Sequence, residues 1–454
     1  MNTQTQSNQT TTNSINTQST PGQRMYNFCA QIFPYNRSVT GDGVRQTLKD
    51  MSDYIASDDG VGLTLHEIPS GTKVFDWNVP KEWKIVDAYI EDEEGNHIID
   101  FKEHNLHVMG YSTPVDKWVD LDELLEYVYT EPDQPEVIPY VTSYYKERFG
   151  FCMSENQKNS LKPGKYHMYI NSEHFDGSLT YGDIVIPGES DEEIFFSTYD
   201  CHPSMADNEC SGPALMCEII RYVKALPKRK YTYRFAVVTE TVGSITYLAT
   251  ENHLEHMKSH VIAGFNMSCV GDDLEYSFIP SKYGDTLADR VLKNVLKYHT
   301  GDTYSKYTYR DRGSDERQYT SAGVDLPVVC FCRSKFGLFP EYHTSADDMN
   351  FVSPEGFQGS YDVFTAVIDA LEHNENYVVT VCGEPQLGKR GLYTNCAVSR
   401  KGTYDTIMVQ RDVLSYADGR NDLIALSEYA DAPTWEIIPI VDRLVDAELL
   451  QILK

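Results

Sequence analysis

The stretch STYDCHPSMADNECSG, residues 197–212, decides how this chain folds. The apolar, β-prone run EEIFFST, residues 192–198, leads into it, and SGPALMCEIIRYVKAL, residues 211–226, leads out. In that second run Ser211 is placed to cap a helix and Pro213 sits in its first turn. Leu215, Ile219, Ile220 and Val223 then recur at helical spacing. The order is strand, loop, helix, with His202 and Asp207 in the loop. In an open α/β sheet, ligands bind in the loops at the carboxyl ends of the strands. Neutral imidazole and ionised carboxylate together form a donor set suited to zinc.

A solvated turn is the plainer explanation of one His and one Asp, but two further stretches repeat the arrangement. FAVVTETVGSITYL, residues 235–248, is a strand ending in Glu240 with a helix behind it. EYHTSADDM, residues 341–349, places His343 among carboxylates and hydroxyls after the strand LPVVCFCRS, residues 326–334. Three strand-end loops, each with a ligand-type or base-type side chain, favour a site over three coincidental turns.

These stretches resemble the co-catalytic zinc aminopeptidases, a family of exopeptidases. The resemblance rests on residues 207–212, 240–243 and 343–348, with SDERQYTSAGVDLP, residues 314–327, as further support. The phrases CHPSMADNECSG, TETVGS, SDERQY and RSKFGLFPEYHTSADD are similar to a divergent bacterial branch of aminopeptidase-like proteins associated with polysaccharide biosynthesis. The match runs from about residue 25 to the C-terminus. It implies an α/β fold with a doubly wound, mostly parallel sheet of the zinc exopeptidase type. The implied function is zinc-dependent hydrolysis of an amide bond in a peptide or a small amide-containing substrate. Glu240 is then the general base, and His202, Asp207 and His343 hold the metal. Asp348 is placed to orient His343.

The chain also departs from that pattern. Ser204 stands where the family has an aspartate orienting the first His, Thr241 where a second Glu ligates a second zinc, and Asn266 near a further Asp ligand. One zinc is therefore expected rather than two, with Asp272 as an additional metal candidate. Arg333, Arg37, Asp315 and Tyr342 are the candidates for substrate contact. The alternative is a catalytically decayed peptidase scaffold serving as a binding or regulatory protein. Thr241 and Asn266 favour that alternative, whereas the retained Glu240 opposes it.

With 454 residues, two or three domains are expected. The segmentation is a disordered tail over 1–23, a catalytic domain over 24–70 and 115–387, an inserted β-domain over 71–114, and a winged-helix-like domain over 388–454. Short alternating strands separated by EEGN and EHN turns mark the insertion. Three short helices, in residues 406–418, 421–430 and 434–450, mark the winged helix. From Asp405 to Lys454 four basic residues face ten acidic ones, so docking or homo-oligomerisation suits this domain better than reading DNA. The net charge of −29 argues against nucleic acid and anionic membranes as partners. Ten scattered cysteines, Cys201 and Cys210 among them, are expected to be reduced thiols. The polar opening lacks a charged leader and an apolar core, so a cytoplasmic location is expected.

Overall fold

The computed structural model describes residues 19–144, 146–392 and 403–453. Its centre is a sheet of eight strands: β1 (Thr64–Pro69), β2 (Ser178–Ile186), β3 (Glu193–Tyr199), β4 (Thr232–Val238), β5 (Val261–Met267), β6 (Ser277–Ile279), β7 (Ser305–Lys306) and β8 (Val328–Cys332). Their spatial order is β1-β2-β4-β3-β5-β8-β6-β7. The middle four, β4, β3, β5 and β8, run parallel. Strands β1 and β2 on one side and β6 on the other pair antiparallel. This is the α/β, mostly parallel architecture expected from the sequence.

Both faces of the sheet are covered, which is why its strands read as continuous apolar runs. One face packs Ile194, Phe196, Phe235 and Phe265 against helices α1 (Pro21–Ile32), α2 (Asp42–Ala56), α3 (Ser211–Ala225), and later helices. The other turns Phe195, Tyr199, Ala236 and Val238 toward Ile245 and Leu248 of α4 (Val242–Ala249). Phe196 sits opposite Phe235 on one neighbour and Phe265 on the other, with ring centroids 5.2 Å apart in each pair. Phe364 of the long helix α6 (Pro354–Glu372) meets Phe196 edge-on at 5.7 Å. On the other side of α6 from α3, helix α5 (Leu287–His299) completes that layer with Val291, Leu292 and Val295. This aromatic ladder fixes the register of the parallel strands, and with it the positions of the loops at their ends.

Gly212 permits close approach of α3 to the sheet. A Cβ there would lie 2.0 Å from Thr198 Oγ1, which donates to the Met267 carbonyl across the sheet. Gly212→Ala is therefore expected to destabilise the fold by about 1–3 kcal/mol, as overpacking of a close-packed site does. Denaturant unfolding checks this; an unchanged midpoint would show that the helix can lift away freely.

A second, four-stranded antiparallel sheet takes His97–Asp100, Glu82–Asp92, Lys165–Phe175 and Val115–Asp120 in that order. It thus draws strands from beyond the 71–114 span. The run 165–186 looks like one strand pair around a turn, yet its halves join different sheets. Burial alternates along Lys165–Phe175, as suits a sheet with one wet face, and is nearly continuous along Ser178–Ile186, as suits the covered central sheet.

The C-terminal unit has a three-stranded sheet of Asn376–Val379, Asp418–Asp422 and Leu450–Ile452. Helices α7 (Thr403–Tyr416), α8 (Leu423–Tyr429) and α9 (Thr434–Asp446) complete it around Leu426, Ile437, Val441 and Leu444. Strand pairing pulls residues 376–379 into this unit, so it starts before residue 388. Arg290 of α5 forks onto Asp422 at 2.7 and 2.8 Å and joins the unit to the central domain. The first eighteen residues of the 1–23 tail lie outside the described residues, while α1 begins at Pro21 with Thr20 accepting from the Gln23 N–H. Among the described residues, no helix is long and apolar enough to cross a membrane.

Candidate active site

The loops after β3, β4 and β8 meet at one cavity of about 310 Å³. His202, Glu240 and His343 line it, together with Cys201, Tyr140 and Arg317. The other wall is partly Trp77, Asn78 and Pro80, from the segment that carries the Lys73–Val74 and Trp77–Asn78 hairpin. His202 is buried, with Nε2 3.9 Å from a Glu240 carboxylate oxygen. Its Nδ1 lies 2.6 Å from Glu209 Oε2 and 3.4 Å from Cys201 Sγ. Burial opposes the charged imidazolium, but the Glu209 and Glu240 carboxylates outweigh it and the His202 pKa rises.

Glu209 rather than Asp207 faces His202. Residues Ala206–Cys210 form a π-helical turn that runs directly into α3. Side chains two residues apart on such a turn project to opposite sides, and π turns of this kind gather at functional sites. Asp207 points the other way: its Oδ1 accepts from the Gly271 and Asp272 N–H groups at 2.7 and 3.1 Å. Burial, with Asp272 and Asp347 adding to it, pushes the Asp207 carboxyl well above the usual range. Asp272 is likewise engaged elsewhere, accepting from the Ser334 N–H and hydroxyl at 2.8 Å each. Neither Asp207 nor Asp272 lines the cavity. Ser204 accepts from Asn105 at 2.8 Å, so the hydrogen bond to the His202 ring comes from Glu209 instead.

His343 is held from two directions. The Tyr140 N–H donates to its carbonyl at 2.8 Å, and Pro139 bridges Thr344. Three residues on, Asp347 accepts from the N–H groups of Ala206, Asp207 and Asn208 at 3.1, 2.7 and 2.9 Å, tying this loop to the π turn. Asp348, placed by the sequence to orient His343, accepts from Asn350 instead. The His343 backbone lies in the left-handed region at φ 56°, a costly conformation for a residue other than glycine. Burial and the neighbouring His202 lower its pKa to about 3, so the ring is neutral. Tyr140 packs edge-on against both imidazoles, at 5.0 and 5.1 Å.

Glu240 closes the ring of groups. Its N–H donates to Cys201 Sγ at 3.3 Å. Burial raises its pKa, against the pull of His202 and Arg317. The four residues expected at the substrate sit differently. Asp315 accepts from the Thr241 N–H and the Ser244 hydroxyl, both at 2.8 Å, and burial followed by Glu240 lifts its pKa to about 8. Arg37 is buried, donating to the His202 carbonyl at 2.9 Å and the Ile32 carbonyl at 2.6 Å. Arg333 donates to the carbonyls of Glu275 and Gly356 and stacks on Tyr276 at 3.9 Å. Tyr342 stacks on His343 at 3.9 Å, behind the cavity wall. None of the four lines the cavity. Arg317, which the sequence did not single out, does. Its signal was present in SDERQY, two residues after Asp315.

The model for the domain of unknown function DUF4910 matches residues 26–374, and a winged helix-turn-helix model matches residues 375–452. The chain belongs to the DUF4910 family. A relative from Clostridium acetobutylicum, provisionally named a polysaccharide biosynthesis protein with an aminopeptidase-like domain, is 41% identical over 440 residues, 96% of this chain and 98% of its own. A crystal structure from Clostridium acetobutylicum, provisionally named a peptidase, is 40% identical with a TM-score of 0.86, covering 95% of this chain and 96% of that one. BSAP, a zinc aminopeptidase from Bacillus subtilis, is 13% identical with a TM-score of 0.55 over 76% of this chain and 94% of its own. The fold of this DUF4910 chain is therefore that of the zinc aminopeptidases, followed by a winged helix.

The donor set fits a borderline divalent cation. His343 presents a neutral imidazole, and His202 has an imidazole nitrogen on the cavity side. Cys201, His202 and Glu209 bring their ligand atoms within 4.8 Å of one another. Glu209 Oε1 and both oxygens of Asp200 are buried without a hydrogen-bond partner. Arg37, 3.8 Å from Glu209, is the nearby positive charge that partly offsets them. Unpartnered buried carboxylate oxygens are costly, and a cation is the natural complement.

Proposed function

We propose that this protein is a zinc-dependent hydrolase of amide bonds, aminopeptidase-like in its chemistry. One zinc per chain would be held by the cavity-side imidazoles of His202 and His343, with Glu209 fixing the His202 ring through Nδ1 from outside the cavity and Glu240 as general base. The observation that carries this is the convergence of both imidazoles and Glu240 on one cavity, with Glu209 buried against His202. A zinc ion in this site supplies Lewis acidity that makes water a nucleophile near neutral pH and polarises the scissile carbonyl. Glu240 then takes a proton from the attacking water and passes it to the leaving amine. Tyr140, packed on both rings, holds the imidazoles in their relative orientation.

A single cation is favoured because neither residue 241 nor residue 266 carries a carboxylate: Thr241 Oγ1 accepts from Arg317, and Asn266 donates through Nδ2 to Glu316 at 3.3 Å. Elemental analysis of the purified chain, followed by a screen of aminoacyl and N-acyl amides, tests the proposal. About one zinc per chain and turnover of at least one amide class are expected. A chain that holds no metal and takes up none when zinc is offered would instead support the decayed, ligand-binding scaffold.

A further inference from the structure

The cavity contains one guanidinium among its described lining residues, that of Arg317. Its Nη2 donates to Thr241 Oγ1 at 2.6 Å, and no ion-pair partner stands beside it among the described residues. The two arginines that sequence favoured, Arg37 and Arg333, are buried and donate to backbone carbonyls. In a chain with a net charge of −29, an unpaired guanidinium at a cavity is unusual, because carboxylates are abundant. The side chain is also held in place. Thr241 has a left-handed backbone at φ 66°, fixed by its N–H donating to Asp315 Oδ1 at 2.8 Å. That tether places Arg317 one residue from Glu240, close enough for its charge to act on the Glu240 carboxyl.

We infer that Arg317 anchors a carboxylate on the substrate, so that the amides taken by this site are acidic ones. The inference rests on the hydrolase proposal for this cavity and names its substrate class. A guanidinium with one edge spent on Thr241 still offers paired N–H donors, the geometry a carboxylate matches. One positive charge balances a monoanion. A phosphate dianion would leave a surplus negative charge facing Glu240, which Coulomb repulsion disfavours. Trp77 and Pro80 on the cavity wall exclude water from one side and strengthen the contact.

The test is a ligand-observed NMR titration on the full chain stripped of metal, so that no carboxylate is drawn to a bound cation. Three matched probes are used: succinamic acid, neutral succinamide and 3-phosphonopropionamide. Wild type is expected to bind succinamic acid on the order of 10- to 100-fold tighter than succinamide, the range for a hydrogen-bonded charge pair. Arg317→Gln should bring the two to parity, and Arg317→Lys should restore part of the preference. Arg317 is exposed and bonded to one side chain, so both variants should keep the wild-type melting profile. Equal binding of acid and diamide by wild type overturns the inference, as does absence of acid binding or a preference that survives Arg317→Gln. Phosphonate binding as tight as carboxylate binding overturns the commitment to a carboxylate. A chain that proves to hold no zinc sinks the hydrolase proposal and leaves this titration readable.

Discussion

Glu240→Gln is expected to lower amide hydrolysis by on the order of 10²–10⁴-fold, the contribution of a positioned general base, while zinc content stays at the wild-type level. Glu240 stands just past the carboxyl end of β4, with its N–H tied to Cys201 and one carboxylate oxygen 3.9 Å from His202 Nε2. Burial raises its pKa above the ordinary Glu value. Glutamine preserves the volume and removes the basic oxygen. Rate and bound metal must be read on the same preparation. Undiminished turnover would remove Glu240 from the role of base. Loss of zinc along with activity would instead make Glu240 a ligand.

Much of this architecture is legible in the sequence because its signals are local. The strand–loop–helix texture around residues 192–226 needs only an apolar run, a cap and a 3.6-residue period, and the sheet follows from its repetition. His202, Glu240 and His343 are legible for the same reason, since each lies within a few residues of a strand end. What escapes depends on geometry that one strand of text does not carry. A π turn differs from an α turn by one residue in where side chains point, so the choice between Asp207 and Glu209 cannot be made from spacing. Arg333 and Arg37 look like free cations until backbone carbonyls distant in sequence consume their donors. Arg317 looks like one more surface charge in SDERQY until Thr241 fixes it at the cavity. The split of residues 165–186 between two sheets is likewise decided by partners about a hundred residues upstream, at Thr64–Pro69 and Glu82–Asp92.

The two carboxylates of the π turn can be separated by experiment. Glu209→Gln is expected to weaken zinc binding by roughly 10- to 100-fold, the cost of losing the carboxylate that orients a ligating imidazole. It should leave the fold in place, because glutamine retains an oxygen to face His202 Nδ1. Asp207→Ala is expected to do the opposite. The Gly271 and Asp272 N–H groups would lose their acceptor in a buried loop, at about 1–3 kcal/mol, while zinc content at saturation remains that of wild type. Competition of each variant against a chromogenic chelator gives the affinity, and denaturant unfolding gives the stability. If Asp207→Ala lost the metal with its fold intact and Glu209→Gln kept it, the ligand would be the one that sequence spacing favours. The π turn would then have to rotate on loading, carrying Asp207 away from the amides of Gly271 and Asp272 and toward His202. That rotation would also break the Asp347 contacts to the N–H groups of residues 206–208, so it would free the His343 loop as well. With Glu209 holding the His202 ring through Nδ1 and the cation on the cavity side, none of these contacts has to move, and the loops after β3 and β8 stay in place when the cation enters.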